Sequence, residues 1–142
     1  MNHLNNLQVG ESVSFSKTVS ESDVYMFAGI TGDLGENHVN EEYMKKTPYK
    51  KRIAHGALLV GYASTTSTLF IQKRSIPAVS YGYDSIRFIK PVFIGDTIYI
   101  IYTIDKICND TQKSWAKIEI KNQDDELCAV AIHILKYIAK ED

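Results

Sequence analysis

Residues 56–70, GALLVGYASTTSTLF, contain no Asp, Glu, Lys or Arg. Leu58, Leu59, Tyr62, Ala63, Thr66 and Leu69 recur at helical spacing. The other side offers Val60, Gly61, Ser64 and Ser67, small or apolar and never charged. A helix without a charged face is expected to be buried on most sides, and small residues let strands come close to its axis. The spacing predicts a helix over about 56–70 with a sheet wrapped around it.

The rest of the chain supplies that sheet. Residues 78–91 read as a long strand in which Gly82 marks a bend or bulge. Gly95-Asp96 turns into residues 97–106, where Ile98, Ile100, Tyr102 and Ile104 alternate against Tyr99, Ile101 and Thr103. After Asn109-Asp110, residues 113–121 point Ala116, Ile118 and Ile120 inward and Lys117, Glu119 and Lys121 outward. Asp124-Asp125 leads to residues 127–138, apolar on both faces and so central or at an interface. Strands joined by short turns make an antiparallel sheet. Upstream, residues 13–19 alternate as an edge strand, with Lys17 discouraging further pairing. The fold class is α+β: a curved antiparallel sheet around one helix, in a single domain over 1–142.

Composition narrows the function. The 142 residues, 44% hydrophobic and 23% charged, suffice for one core. Sixteen basic against 17 acidic residues leave a net charge of -1, which argues against a free-standing nucleic-acid binder. Cys108 and Cys128 have neither disulfide-framework nor zinc-site spacing and read as structural thiols. The opening MNHLNNLQVGES lacks an apolar signal region. No apolar run approaches the ~20 residues that span a bilayer. A cytoplasmic protein, without membrane or nucleic-acid partner, is the expectation.

Chemistry gathers just upstream of the uncharged helix. Ser20 and Asp23 offer a capped helix start, with Val24, Phe27, Ala28 and Thr31 on one face. Gly29 and Gly32 end that helix or make it irregular. Residues 32–40 read as a loop, with Gly35 permitting a left-handed turn and Asn37 capping the next element. Residues 41–46 run from acids to bases, a short dipole-matched helix closed by Pro48. Lys50, Lys51 and Arg52 form a basic patch before His55-Gly56. Asp33 and His38 put a carboxylate and an imidazole five residues apart at the mouth of the helix. Those are the parts needed to hold and activate a water.

These motifs resemble the MaoC-like dehydratase family, which includes the (R)-specific enoyl-CoA hydratases, over residues from about 20 to about 138. Thr31-Gly32-Asp33, His38 and Ile53-Ala54-His55-Gly56 match the family pattern. So do Ser64, Arg87-Phe88-Ile89-Lys90-Pro91-Val92 and Gly95-Asp96. Gly35-Glu36-Asn37 replaces the usual Asn-Pro-Ile/Val, and Asn40 stands where an aspartate is common. The resemblance implies a hot-dog domain and reversible hydration of trans-2-enoyl-CoA to (R)-3-hydroxyacyl-CoA. It implies no cofactor and no metal, although Asp33, His38 and His55 could touch a zinc. It further implies an acyl-CoA or acyl-carrier-protein thioester as partner. Last, it implies a homodimer or higher homo-oligomer with sheets paired edge to edge and the substrate tunnel near the interface.

In that frame Asp33 and His38 are the catalytic pair, holding water with one accepting and one donating. Which is base and which acid is open. The Gly56 N–H at the helix start faces the thioester oxygen. Ser64 orients water or the acyl chain, or bonds its own helix. His55 supports the turn through a backbone hydrogen bond or joins the oxyanion site. Lys50, Lys51 and Arg52 meet phosphates or are merely solvated. Tyr62, Leu59 and Phe70 are candidates to line or plug the tunnel, Glu36 is solvated, and His3 and His133 receive no role. Two alternatives remain: a non-catalytic acyl-thioester-binding accessory subunit, kept open by the altered 35–37 loop, and a hot-dog acyl-CoA thioesterase. The thioesterase places a carboxylate on the central helix, which 56–70 lacks.

Overall fold

Five strands in the order β1-β3-β4-β5-β2 form one antiparallel sheet. They are β1 (Ser12–Thr18), β2 (Ala78–Phe88), β3 (Thr97–Cys108), β4 (Lys113–Lys121) and β5 (Leu127–Tyr137). Between β1 and β2 lie α1 (Glu21–Thr31), α2 (Glu36–Val39), α3 (Glu41–Lys45) and α4 (Gly56–Arg74). This computed structural model describes residues 4 and 6–139; His3 lies outside the described residues. Among them, no helix is long and apolar enough to cross a membrane.

The alternations chose the faces. Ile98, Ile100, Tyr102 and Ile104 of β3, Ala116, Ile118 and Ile120 of β4, and Ala129, Ala131 and Leu135 of β5 are buried. They pack against Leu58, Leu59, Ala63 and Phe70 of α4. β1 is an edge, as its sequence suggested, and β5 lies inside the sheet. β2 is the opposite edge, shifted in register between Ser80 and Gly82 and again between Asp84 and Arg87. It ends at Phe88, short of Pro91, because Ile89 and Lys90 turn their N–H groups onto the Cys128 carbonyl.

Several local expectations are corrected. α4 runs past Phe70 to Arg74, where Ser75 in the left-handed conformation stops it. In the single chain α4 is covered on fewer sides than its lack of charge implied: Ala57, Gly61, Ser64 and Thr68 form an exposed stripe. The 32–40 loop contains the short α2. Gly32, at φ 83°, makes the left-handed turn that ends α1, whereas Gly35 sits at φ -53°. Asn40, not Asn37, caps α3 by accepting from the Tyr43 N–H. The Ser20–Asp23 capping box forms as expected.

Candidate active site

The site hangs on how α1, α2 and α3 are fastened to the start of α4. Arg52 is the fastener. Its Nε donates to Glu41 at 2.6 Å, its Nη2 meets Glu21 at 2.7 Å and its Nη1 donates to the Tyr25 hydroxyl at 2.6 Å. Tyr25 in turn donates to the Val39 carbonyl. The expected free cationic patch at 50–52 is thus smaller: Arg52 is committed to two carboxylates. A second tie links Tyr62 of α4 to Asp23 of α1 at 2.8 Å.

Between these ties the segment carrying Asp33 and His38 lies against the α4 N-terminus. His38 Nδ1 lies 2.6 Å from the Ile53 carbonyl. A carbonyl only accepts, so Nδ1 carries a proton, and Nε2 is left without a partner among the described residues. His55 mirrors this arrangement. Its Nε2 donates to the Asp33 carbonyl at 2.9 Å, and Nδ1 is buried without a partner. The two imidazoles stack, centroids 3.7 Å apart, and the Phe27 ring packs tilted against His55 at 4.8 Å. One carboxylate oxygen of Asp33 and one ring nitrogen from each histidine lie within 4.8 Å of one another. Asp33 is exposed, His38 half-buried and His55 buried.

α4 adds dipole and donors. Its first turn has no acidic residue and no side-chain cap, and among the described residues nothing accepts from the N–H of Gly56 or Ala57. Such groups at a helix start suit a developing negative charge. A cavity of about 670 Å³ opens here, with His38, Ile53, Gly56 and Leu59 inside and Tyr43, Tyr49 and Lys90 toward the rim. That volume fits a medium-sized organic ligand.

Asp33, His38, His55 and Gly56 therefore come together. Ser64 does not join them: it sits two helical turns further along α4, ~12 Å by helical rise, within hydrogen-bonding reach of the Tyr83 hydroxyl. Leu59 lines the cavity, while Tyr62 is bound to Asp23 and Phe70 packs on Tyr102 in the core. Glu36 is exposed.

Sequence reasoning passed over two features. His133 is fully buried: Nε2 lies 2.7 Å from the Ser80 hydroxyl, Nδ1 2.9 Å from that of Tyr102, and the Tyr83 ring rests on it. Burial pushes its pKa down to about 4. Its inward parity with Ala129, Ala131 and Leu135 was the available signal. The other is Phe88, whose ring lies so close to Gly56 that a Cβ there would meet it at 2.5 Å. Nothing local announces a contact 32 residues apart.

Comparison with known proteins places this arrangement among others. The model of the MaoC like domain matches residues 5–125. An (R)-specific enoyl-CoA hydratase from Rhodospirillum rubrum is 38% identical over 104 residues, 73% of this chain and 70% of that protein. Among solved structures, a monoamine oxidase regulatory protein from Archaeoglobus fulgidus superposes with TM-score 0.84 at 31% identity, covering 96% of this chain and 95% of its own. An (R)-hydratase from A. caviae involved in PHA biosynthesis superposes with TM-score 0.82 at 26% identity, covering 93% and 98%.

Proposed function

The chain belongs to the MaoC-like domain family and is a hydro-lyase, and on that premise we propose that it reversibly hydrates a trans-2-enoyl-CoA to the (R)-3-hydroxyacyl-CoA. One observation supports this most: a half-paired His38, with an Asp33 carboxylate oxygen within 4.8 Å of its ring nitrogen, lines a substrate-sized cavity that also reaches Gly56 at the start of α4, where the N–H groups are free.

The Asp33 carboxylate accepts one O–H of a water, His38 meets the same water through Nε2, and the water's oxygen lone pair turns toward C3 of the substrate. As the C3–O bond forms, the C2–C3 π electrons move toward C2 and the thioester oxygen gains negative charge. The Gly56 N–H and the positive end of α4 stabilise that charge. The member of the pair that removes the water proton then returns it to C2 as the conjugate acid, so that one water adds across the double bond and the pair regains its starting state. His55 holds the Asp33 backbone in place and backs the His38 ring.

The thioesterase alternative finds no carboxylate on α4 along its whole length from Gly56 to Arg74. The family membership favours a homodimer. The β2 edge, with Val79 and Tyr81 exposed, and the uncharged stripe on α4 are the surfaces a second copy would cover.

The test is the loss of enoyl-thioester absorbance with crotonyl-CoA, alongside Asp33→Asn. Turnover that disappears in the variant supports the reading. No turnover with any enoyl thioester overturns it and favours the accessory-subunit alternative. Light scattering of the eluting protein reads the oligomer.

A further inference from the structure

Two hollows meet at Leu59 and Phe88. The first is the cavity containing His38 and Gly56. The second lies beneath α4, walled by Leu59, Ala63, Tyr83, Ile118, Ala129 and Ala131, with room for barely one water at about 10 Å³. Leu59 and Phe88 line both. Phe88 is the last residue of β2, just past the second register shift. One side of its ring presses on Gly56, and the residue is otherwise 55% exposed.

We propose that Phe88 is a door between the reaction cavity and the apolar slot beneath α4, and that with the door shut the protein selects short-chain enoyl thioesters. This rests on the hydratase reading above. A thioester oxygen at the Gly56 N–H sets the carbonyl carbon beside the Phe88 ring. Carbons beyond the reacting pair, directed along α4, meet Phe88 and Leu59 within a bond or two. The slot behind them is apolar and nearly closed, so it would welcome methylene groups but cannot hold them as it stands.

The far end of the slot does not yield instead. Tyr83 forms it, within reach of Ser64 on one side and resting on His133 on the other. His133 is itself held by Ser80 and Tyr102. Moving Tyr83 would lift its ring off that pinned imidazole, whereas turning Phe88 outward breaks no hydrogen bond. Phe88 is therefore a specificity-determining residue, and the ligand class behind it is a short, unsubstituted hydrocarbon tail.

The experiment compares kcat/KM for crotonyl-, hexenoyl-, octenoyl- and decenoyl-CoA in the wild type, Phe88→Ala, Ala131→Leu and the double variant. The wild type is expected to prefer crotonyl-CoA. In Phe88→Ala the decenoyl-to-crotonyl ratio rises at least about tenfold. Ala131→Leu fills the slot; alone it leaves the ratio nearly unchanged, and in the double variant it removes the gain. Equal use of both substrates by the wild type, or a ratio that Phe88→Ala leaves still, overturns the door. Phe88→Leu serves if the alanine variant melts early. Absence of turnover with every thioester is a failure of the hydratase reading alone. Calorimetric titration with butyryl- and decanoyl-CoA still decides the door then: the affinity for decanoyl-CoA must rise in the Phe88 variant, and constancy refutes the proposal.

Discussion

Two histidine clusters sit on opposite terms with their surroundings. At the mouth of α4, His38 and His55 each spend one ring nitrogen on a backbone carbonyl and keep the other unpaired. Under the same helix, His133 has both nitrogens engaged and no exposure at all. A buried polar group normally finds a partner because desolvation without one costs about 1–3 kcal/mol. Nitrogens left over beside an open cavity are what a reaction needs, while a fully paired ring is a piece of the scaffold. Burial alone would have ranked the three residues the wrong way round.

The sharpest way to break this contrast is to remove the proposed catalytic pair. Asp33→Asn and His38→Ala should each lower kcat on crotonyl-CoA by roughly 10²–10⁴-fold, with melting temperatures close to the parent. His133→Leu should do the reverse. It strands the Ser80 and Tyr102 hydroxyls and should cost about 3 kcal/mol in urea unfolding at neutral pH, while kcat/KM on crotonyl-CoA stays within about twofold.

The same residue gives the fold an acid limit. Its folded pKa of about 4 lies below the ordinary 6.5, so the unfolded chain takes up a proton that the folded chain refuses. The stabilisation is fully present above the unfolded value and is lost as pH falls from about 6.5 toward 4, to a total on the order of 3 kcal/mol. Urea midpoints at several pH values should show this decline in the parent and a shallower one in His133→Leu. The smallest effect separates positioning from chemistry. His55→Ala should lower kcat by about 10–100-fold with little change in KM, and His55→Gln, whose amide N–H can reach the Asp33 carbonyl, should recover most of it. Equal losses in both variants would mean that the imidazole itself reacts.

The central helix and the alternating strands were legible because uncharged helical spacing and inward parity are local patterns. The same patterns misjudged the helix surroundings. Ala57, Gly61, Ser64 and Thr68 resemble core, yet the chain's own sheet leaves them uncovered, and an absence of charge does not say whose atoms will cover a face. At the site, the nearness of Asp33, His38 and Gly56 was anticipated by spacing and resemblance. α2 was missed because four residues are too few to show a period. Gly32 and Gly35 were confused because the left-handed position depends on where α1 runs out. Arg52 looked like free charge because its partners, Glu21 and Glu41, lie 31 and 11 residues upstream. Contacts made by topology leave no trace in a window.

Because one guanidinium grips both Glu21 and Glu41, the helices on either side of the Asp33–His38 segment are fixed abutments, and the segment is a span of set length between them. Such a span tolerates a change of material better than a change of length. Leu34 and Glu36 face solvent, so their identities are open to drift and to engineering, as the departure at Gly35-Glu36-Asn37 already illustrates. One residue more or fewer would instead turn His38 out of step with the Ile53 carbonyl. This bridge is therefore more readily repainted than rebuilt.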